Sequence, residues 1–261
     1  MKSPSDPIAT AQPIFDVQRA AERATFDQGW LLTSHSFSFA DYFDPRNVNW
    51  GALRVFNDDR VAPGAGFPTH PHRDMEIVTY VLAGELEHRD SMGSHGIVGA
   101  GGVQYMSAGR GVRHSEYNHS TTEGLHFLQM WVLPGKAGGA PMYGQVEFDV
   151  AQRRNRWLVI ASGHAGQTAP VALTQDAMLL VSRLEDVELR HTFEPGRLGF
   201  IFAADGGIGL TAFDEPNTQI GSAELAEGDA VRIAGVTRLK LRGAGEVVLW
   251  DLPRVRDGAN D

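Results

Sequence analysis

Phe67-Pro68-Thr69-His70-Pro71-His72-Arg73-Asp74-Met75-Glu76 sets two histidines two residues apart, just ahead of the apolar run Ile77–Leu82. Side chains at i and i+2 of an extended strand share a face, so His70 and His72 project together. The arrangement returns 42 residues after His72, in Gly109-Arg110-Gly111-Val112-Arg113-His114-Ser115-Glu116-Tyr117-Asn118, where His114 and Glu116 share a face. One such pair alone is weak evidence, because isolated pairs are common on surfaces and in cores. Two pairs in a β-rich chain are stronger. If their strands face one another inside a barrel, three neutral imidazoles and one carboxylate converge on a point. That donor set leaves a divalent ion a net charge near +1 and, on an ion accepting five or six ligands, one or two open positions. Glu76 lies four residues after His72 and shares its face in an uninterrupted strand, so periodicity does not separate Glu76 from Glu116 as the carboxylate ligand.

Outward from these clusters the chain reads as short apolar or alternating runs bounded by Gly, Pro, Asn and Asp. Ala52–Phe56, Ile77–Leu82, Val103–Met106 and Leu125–Leu133 precede residue 134. Trp157–Ala161, Met178–Leu184, Leu198–Ala203, Ile208–Phe213, Ala230–Ile233, Leu239–Leu241 and Glu246–Leu252 follow it. Many short strands at regular spacing predict β-sandwiches or barrels. The Pro/Gly-rich segment Pro134–Pro141 interrupts the rhythm and reads as a linker. The expected organisation is a flexible tail over 1–14, a metal-binding domain over 15–135, a linker over 136–145, a second domain over 146–255 and a tail over 256–261. Phe15–Ala24 has the composition of one or two helical turns, and Arg153, Arg154 and Arg156 read as a solvated basic turn.

Composition narrows the function classes. The 261 residues are 42% hydrophobic and 21% charged, with no Cys, which excludes disulfides, iron–sulfur clusters, Cys-ligated zinc and thiolate chemistry. Lys and Arg number 23 against 32 Asp and Glu, a net charge of −9, and neither half is net basic. Affinity for nucleic acid rests largely on neutralising phosphates, so neither nucleic acid nor an anionic membrane is expected as a direct partner. No run approaches the ~18 consecutive apolar residues of a membrane span. Met1–Asp16 has no apolar core of a secretory signal, so a cytoplasmic location is expected.

Eight of the ten histidines precede residue 130. Beyond it only His164 and His191 occur, unpaired, and the second domain is expected to be filled by apolar side chains. His88, in the charged run Glu85–Asp90, reads as solvated or salt-bridged. His126, inside Leu125–Leu133, reads as a hydrogen-bonded core histidine, and His35, His95 and His119 carry no motif. Phe37, Phe67 and Met106 read as ordinary core rather than pocket wall. Asp74, Glu76 and Asn118 are near enough in sequence to accept the remote ring N–H of a ligating histidine.

His70, His72, Glu76 and Gly84, with Gly111, His114 and Asn118, resemble the two metal motifs of the cupin barrel. The gap between Glu76 and Gly84 is one residue longer than in the standard motif, and Gly109 stands where the second motif usually has Pro. More specifically, Gly84-Glu85-Leu86-Glu87-His88-Arg89-Asp90-Ser91-Met92-Gly93, Ser107-Ala108-Gly109-Arg110-Gly111 and His114-Ser115-Glu116 resemble the pirins, including the bacterial pirin-like proteins described as quercetin 2,3-dioxygenases. The likeness covers most of residues 25–135. It implies an all-β bicupin, two β-barrel or jelly-roll cupin domains in one chain, with metal in the first. It places the carboxylate ligand at Glu116, giving a ligand set of His70, His72, His114 and Glu116, and leaves Glu76 a supporting role. It implies one divalent transition metal, with Fe(II) preferred because pirins are described as iron-binding; Cu, Mn, Ni, Co and Zn also suit these donors. The implied activity is that of a dioxygenase. A flavonol such as quercetin is deprotonated, with Glu116 the candidate base, and its central ring is opened by O2 with release of carbon monoxide. The alternative implied by the same family is a non-catalytic iron-binding regulatory protein, acting through a protein partner in a redox-dependent way.

Overall fold

In the strand Val112–Asn118, residues Val112, His114, Glu116 and Asn118 are buried while Arg113 and Tyr117 face outward, the period of two expected of a half-buried strand. In this computed structural model, which describes residues 12–255, that strand pairs antiparallel with Gly66–His72 on one side and Glu85–Asp90 on the other. His95–Gly99 completes a four-stranded sheet. A seven-stranded sheet faces it, in the order Met142–Val146, Val103–Ser107, Glu76–Ala83, Leu125–Val132, Leu53–Val61, Leu31–His35 and Ala24–Asp27. The chain passes from Glu76–Ala83 in one sheet to Glu85–Asp90 in the other through Gly84 alone. Gly84 has φ +79°, and a Cβ there would sit 2.6 Å from the carbonyl oxygen of Gly124, so both the backbone angle and the space require glycine.

The central strands of the seven-stranded sheet are buried on both faces, which is why Ile77–Leu82 reads as a continuous apolar run rather than an alternating one. One face carries Phe56, Val78, Tyr80, Leu128 and Met130 against Ile160, Phe200, Phe202, Trp250 and Leu252 of the second half, in a single shared core. The other face turns toward the four-stranded sheet and is crossed by a row of polar residues in register. His35 pairs with Asn57, Asn57 with Gln129, Gln129 with Thr79, Thr79 with Gln104, and Gln104 with Gln145. A buried polar row needs partners, and the four-stranded sheet supplies some: Glu116 receives Gln104 and Gln129, and the Ile97 carbonyl receives Gln145.

The second half is one nine-stranded sheet dominated by two 15-residue strands, Met178–Thr192 and Arg238–Leu252, paired over their length with a bulge between Glu185 and Val187. Leu198–Ala203, Ala230–Ala234, Gly207–Asp214 and Thr218–Leu225 extend it, and Leu184, Ile201, Leu210, Leu241 and Leu249 contribute to a second core. Among the described residues the only α-helix is Val150–Arg153, capped by the Asp149 carboxylate. The all-β expectation therefore holds, as open sheets in a jelly-roll arrangement rather than closed barrels.

Three local expectations change. The helical turns expected over Phe15–Ala24 are instead the strand Ile14–Gln18, a 3-10 turn at Ala20–Glu22 and the start of Ala24–Asp27. Phe15 and Val17 alternate inward onto the second core, and the strand pairs with Ala230–Ala234 of the second half. A tertiary partner overrides a short ambiguous pattern. Met142–Val146, at the end of the expected linker, is an edge strand beside Val103–Ser107. Arg153 is not a solvated cation: it is buried, and its Nε lies 3.1 Å from Glu246. The expected tail residues 1–11 and 256–261 lie outside the described residues.

Candidate metal centre

The two histidine segments are hydrogen-bonded neighbours in one sheet rather than facing strands of a barrel. His114 pairs with His70, Val112 with His72, and a bulge follows His114 so that Glu116 comes opposite Phe67. Same-face alternation then clusters the rings. Centroids lie 4.8 Å apart for His70–His72, 4.5 Å for His70–His114 and 4.8 Å for His72–His114. One nitrogen from each of the three rings falls within 4.8 Å of the others, and His114 Nε2 lies 3.1 Å from His70 Nε2.

Two ring nitrogens that close repel unless a proton or a cation lies between them. Burial, and then the neighbouring imidazoles, push His72 down to about 4 and His114 down to about 3. Both are neutral at pH 7 and present lone pairs, so the donors fit a divalent transition ion. His70 Nδ1 lies 2.8 Å from the carbonyl oxygen of Pro68, which fixes Nδ1 as the protonated nitrogen and turns Nε2 toward the cluster.

Glu116 is buried at 2% exposure and is received by the polar row: Gln104 Nε2 donates to Oε1, and Gln129 Nε2 donates to Oε2 at 3.0 Å. Each carboxylate oxygen keeps a lone pair beyond its amide contact. Glu116 forms a second close group with His88 and His114, so His114 is the residue common to both groups. Neither glutamine was singled out from sequence. The available signal was a Gln inside an otherwise apolar strand, which is a buried polar group in need of a partner.

Glu76 is elsewhere. The strand does not continue past His72: Asp74 has φ +47°, and its N–H donates to the Gly109 carbonyl. The Glu76 carboxylate, fully buried, accepts from the Tyr105 hydroxyl at 2.9 Å and from the backbone N–H groups of Thr174 and Gln175 at 2.8 and 3.1 Å. It ties the first half to the second. Burial and Glu76 push the Tyr105 phenol well up, keeping it a donor. Asn118 donates to the carbonyls of Val61, Ala62 and Glu123, and Asp74 accepts from Gly138, so neither Asp74, Glu76 nor Asn118 orients a clustered imidazole.

Of the two readings of His88, solvated or salt-bridged, the structure has the second, with the ring buried. Leu86, His88 and Asp90 alternate inward, and His88 is fully buried, 3.1 Å from Asp90 and stacked on Tyr143 at 4.1 Å. His126 is hydrogen-bonded as expected, with Nε2 2.6 Å from Asp58. Of the three apolar residues, Phe37 packs in the shared core and Met106 against Ile77 and Val112. Phe67 instead lines a cavity of about 260 Å³, with Phe26, Leu31 and Phe39. An edge-to-face chain links this cavity to the cluster: Phe39–Trp131 at 5.2 Å, then Trp131–His72 at 4.8 Å. Its polar wall holds Thr33 Oγ1, His35 Nδ1, Asn57 Oδ1 and Asp59 Oδ1, all buried without a hydrogen-bond partner.

In the second half, His164 is bonded to Asp176 and Glu194, and His191 to Asp251. Among the described residues no helix is long and apolar enough to cross a membrane.

Comparison with known proteins agrees with this fold. Residues 15–132 match the Pirin family and residues 159–252 match a family described as the quercetinase C-terminal cupin domain. A pirin-like protein of Caulobacter vibrioides is 43% identical over 72% of this chain and 83% of its own. A protein of Escherichia coli K12 named quercetin 2,3-dioxygenase is 39% identical over 92% of this chain and 99% of its own. The crystal structure of the bacterial pirin YhhW of Escherichia coli in complex with nickel(II) superposes with a TM-score of 0.82 at 37% identity, covering 93% of this chain and all of that one.

Proposed function

The chain belongs to the pirin family, and from that premise we propose that it is a metal-dependent dioxygenase that opens the central ring of flavonols such as quercetin. One molecule of O2 adds across C2 and C4 of the flavonol, both oxygen atoms stay in the ring-opened ester, and C3 leaves as carbon monoxide. The observation that carries the reading is the cluster of His70, His72 and His114, with Glu116 grouped against His114, linked through His72, Trp131 and Phe39 to an aromatic-walled cavity with unpartnered polar atoms. An ion held by His70, His72, His114 and Glu116 would supply Lewis acidity toward the substrate's oxygens and redox access to O2. Fe(II) is our preferred ion; nickel, present in the relative's structure, suits the same donors.

The chain's own residues do the rest. Glu116 is the base that takes the proton of the flavonol 3-hydroxyl, and the Gln104 and Gln129 amides hold its carboxylate in one orientation. Phe26, Phe39 and Phe67 sandwich an aromatic ring of the substrate and exclude water. Asp59, Asn57, Thr33 and His35 receive its phenolic hydroxyls, which gives those four atoms the partners they lack within the protein.

The test is aerobic turnover of quercetin by apo-protein loaded separately with Fe(II), Mn(II), Co(II), Ni(II) or Cu(II), following loss of flavonol absorbance and trapping carbon monoxide. Turnover with at least one ion is expected. Glu116→Gln is expected to lower kcat by roughly 10²-fold or more while weakening metal binding less than His70→Ala does. No carbon monoxide with any ion would remove the dioxygenase reading and leave the regulatory one. Unchanged kcat in Glu116→Gln would remove Glu116 from the proton step.

A further inference from the structure

The mechanism leaves one fully buried titratable side chain without a task. His114 turns Nε2 toward His70, at 3.1 Å, and Nδ1 toward His88 Nδ1, at 3.4 Å. His88 Nε2 lies 3.1 Å from Asp90 Oδ2, and neither side chain is exposed. The other oxygen of Asp90 is taken by the backbone N–H groups of Met92 and Ser94, at 2.8 and 3.0 Å, so Oδ2 is reserved for His88. Tyr143 stacks on the His88 ring at 4.1 Å with 11° between planes and holds it edge-on to both partners.

With an ion on the Nε2 side of His114, one proton assignment satisfies every atom. His114 Nδ1–H donates to His88 Nδ1, and His88 Nε2–H donates to Asp90. We propose that His88 and Asp90 are positioning residues of the metal centre, forming with His114 a buried relay that fixes its tautomer and strengthens it as a donor. This rests on the reading of His114 as a metal ligand. A ligating imidazole commonly passes its remote N–H to a carbonyl or carboxylate, as His70 does to Pro68; here a second imidazole carries the influence of Asp90 across one more ring. His88 is close to His114 and Glu116 but is not grouped with His70 and His72, and it faces the opposite nitrogen of His114, so its place is behind that ligand.

The experiment is Ni(II) titration of the full-length apo-protein by calorimetry, with the visible absorption spectrum of the Co(II) form as a readout independent of activity. His88→Phe keeps a ring against Tyr143 and removes both nitrogens. His88→Gln keeps an acceptor for His114 and a donor for Asp90. Wild type is expected to bind one ion, His88→Phe to bind about 10–100-fold more weakly with a shifted Co(II) spectrum, and His88→Gln to recover most of the affinity. Asp90→Asn keeps the acceptor for Met92 and Ser94 but removes the charge. It is expected to weaken binding by roughly 10-fold, and it carries the test if His88→Phe does not fold. Wild-type affinity and spectrum in folded His88→Phe, or in Asp90→Asn, overturn the relay and leave the metal reading intact. A loss in His88→Phe as complete as in His70→Ala, unrescued by Gln, makes His88 a ligand and also overturns the relay. Failure of wild type to bind any ion overturns the metal reading and the relay with it.

Discussion

Asp58 and Asp59 are consecutive residues of one strand, so they point to opposite faces and meet opposite environments. Burial pushes Asp58 up, but hydrogen bonds and charge from His126 and Arg23 outweigh it and hold the carboxyl down to about 2. Asp59 faces the cavity, where Thr33 and the more distant Arg23 oppose its burial only weakly. Burial, reinforced by the charges of Asp58 and Glu116, pushes it up to about 7. The signs of their contributions to stability differ accordingly. Asp58 adds stability that is present above about pH 4 and is lost as pH falls toward 2. Asp59 is favoured neutral in the fold, so its contribution is present below about pH 4 and is lost as pH rises through 7. Asp59→Asn, neutral at every pH, escapes that loss. Its apo-protein is expected to match wild type in thermal unfolding at pH 4 and to exceed it by roughly 2–4 kcal/mol at pH 8. An Asp59→Asn protein less stable than wild type at pH 8 would show that Asp59 ionises freely in the fold.

Elements were legible where alternation was strict and long enough, and obscure where a partner from far along the chain decided. His70-x-His72 and His114-x-Glu116 follow directly from the period of two, and their strands are where that period puts them. Their relation as neighbours in one sheet does not follow, because register is set by pairing and by the bulge after His114. His88 was obscured by net charge: Glu85–Asp90 is a charged run, yet its inward positions are Leu86, His88 and Asp90. Glu76 is ambiguous from sequence because the turn at Asp74 breaks the strand, and nothing in the period marks that break. Where a single residue makes the crossing between sheets, the demand on it is severe. Gly84→Ala places a Cβ 2.6 Å from the Gly124 oxygen on a backbone at φ +79°. It is expected to cost about 1–3 kcal/mol, read as a lowered denaturant midpoint, and to weaken metal affinity by displacing the strand that carries His88. A neutral effect on both would mean that the two sheets shift together without strain.

At the scale of the molecule, the sequence pattern suggests two β domains joined by a linker, and their packing makes them interdependent. The largest fully buried side chain, Trp250, belongs to the second half, yet its Nε1–H points at Met130 Sδ in the first, 3.1 Å away, within the core both halves share. Polar ties cross the same boundary. The Tyr80 hydroxyl donates to Glu246, and Glu76 is held by Thr174 and Gln175. Ile14–Gln18 leads into the first half but is a strand of the second. Separating the halves would therefore expose the apolar face of the seven-stranded sheet and orphan several buried charges, a penalty that neither half offsets alone. The second half, in which no close group of candidate ligands forms among the described residues, acts as the other wall of the first half's core. Trp250→Ala, some distance in sequence from every candidate ligand, is accordingly expected to destabilise by about 3–5 kcal/mol and to lower one calorimetric transition that includes the histidine-bearing half. Two transitions, with only one displaced and the ion-binding half melting where it does in wild type, would establish that the halves fold independently and that the shared core adds little to either.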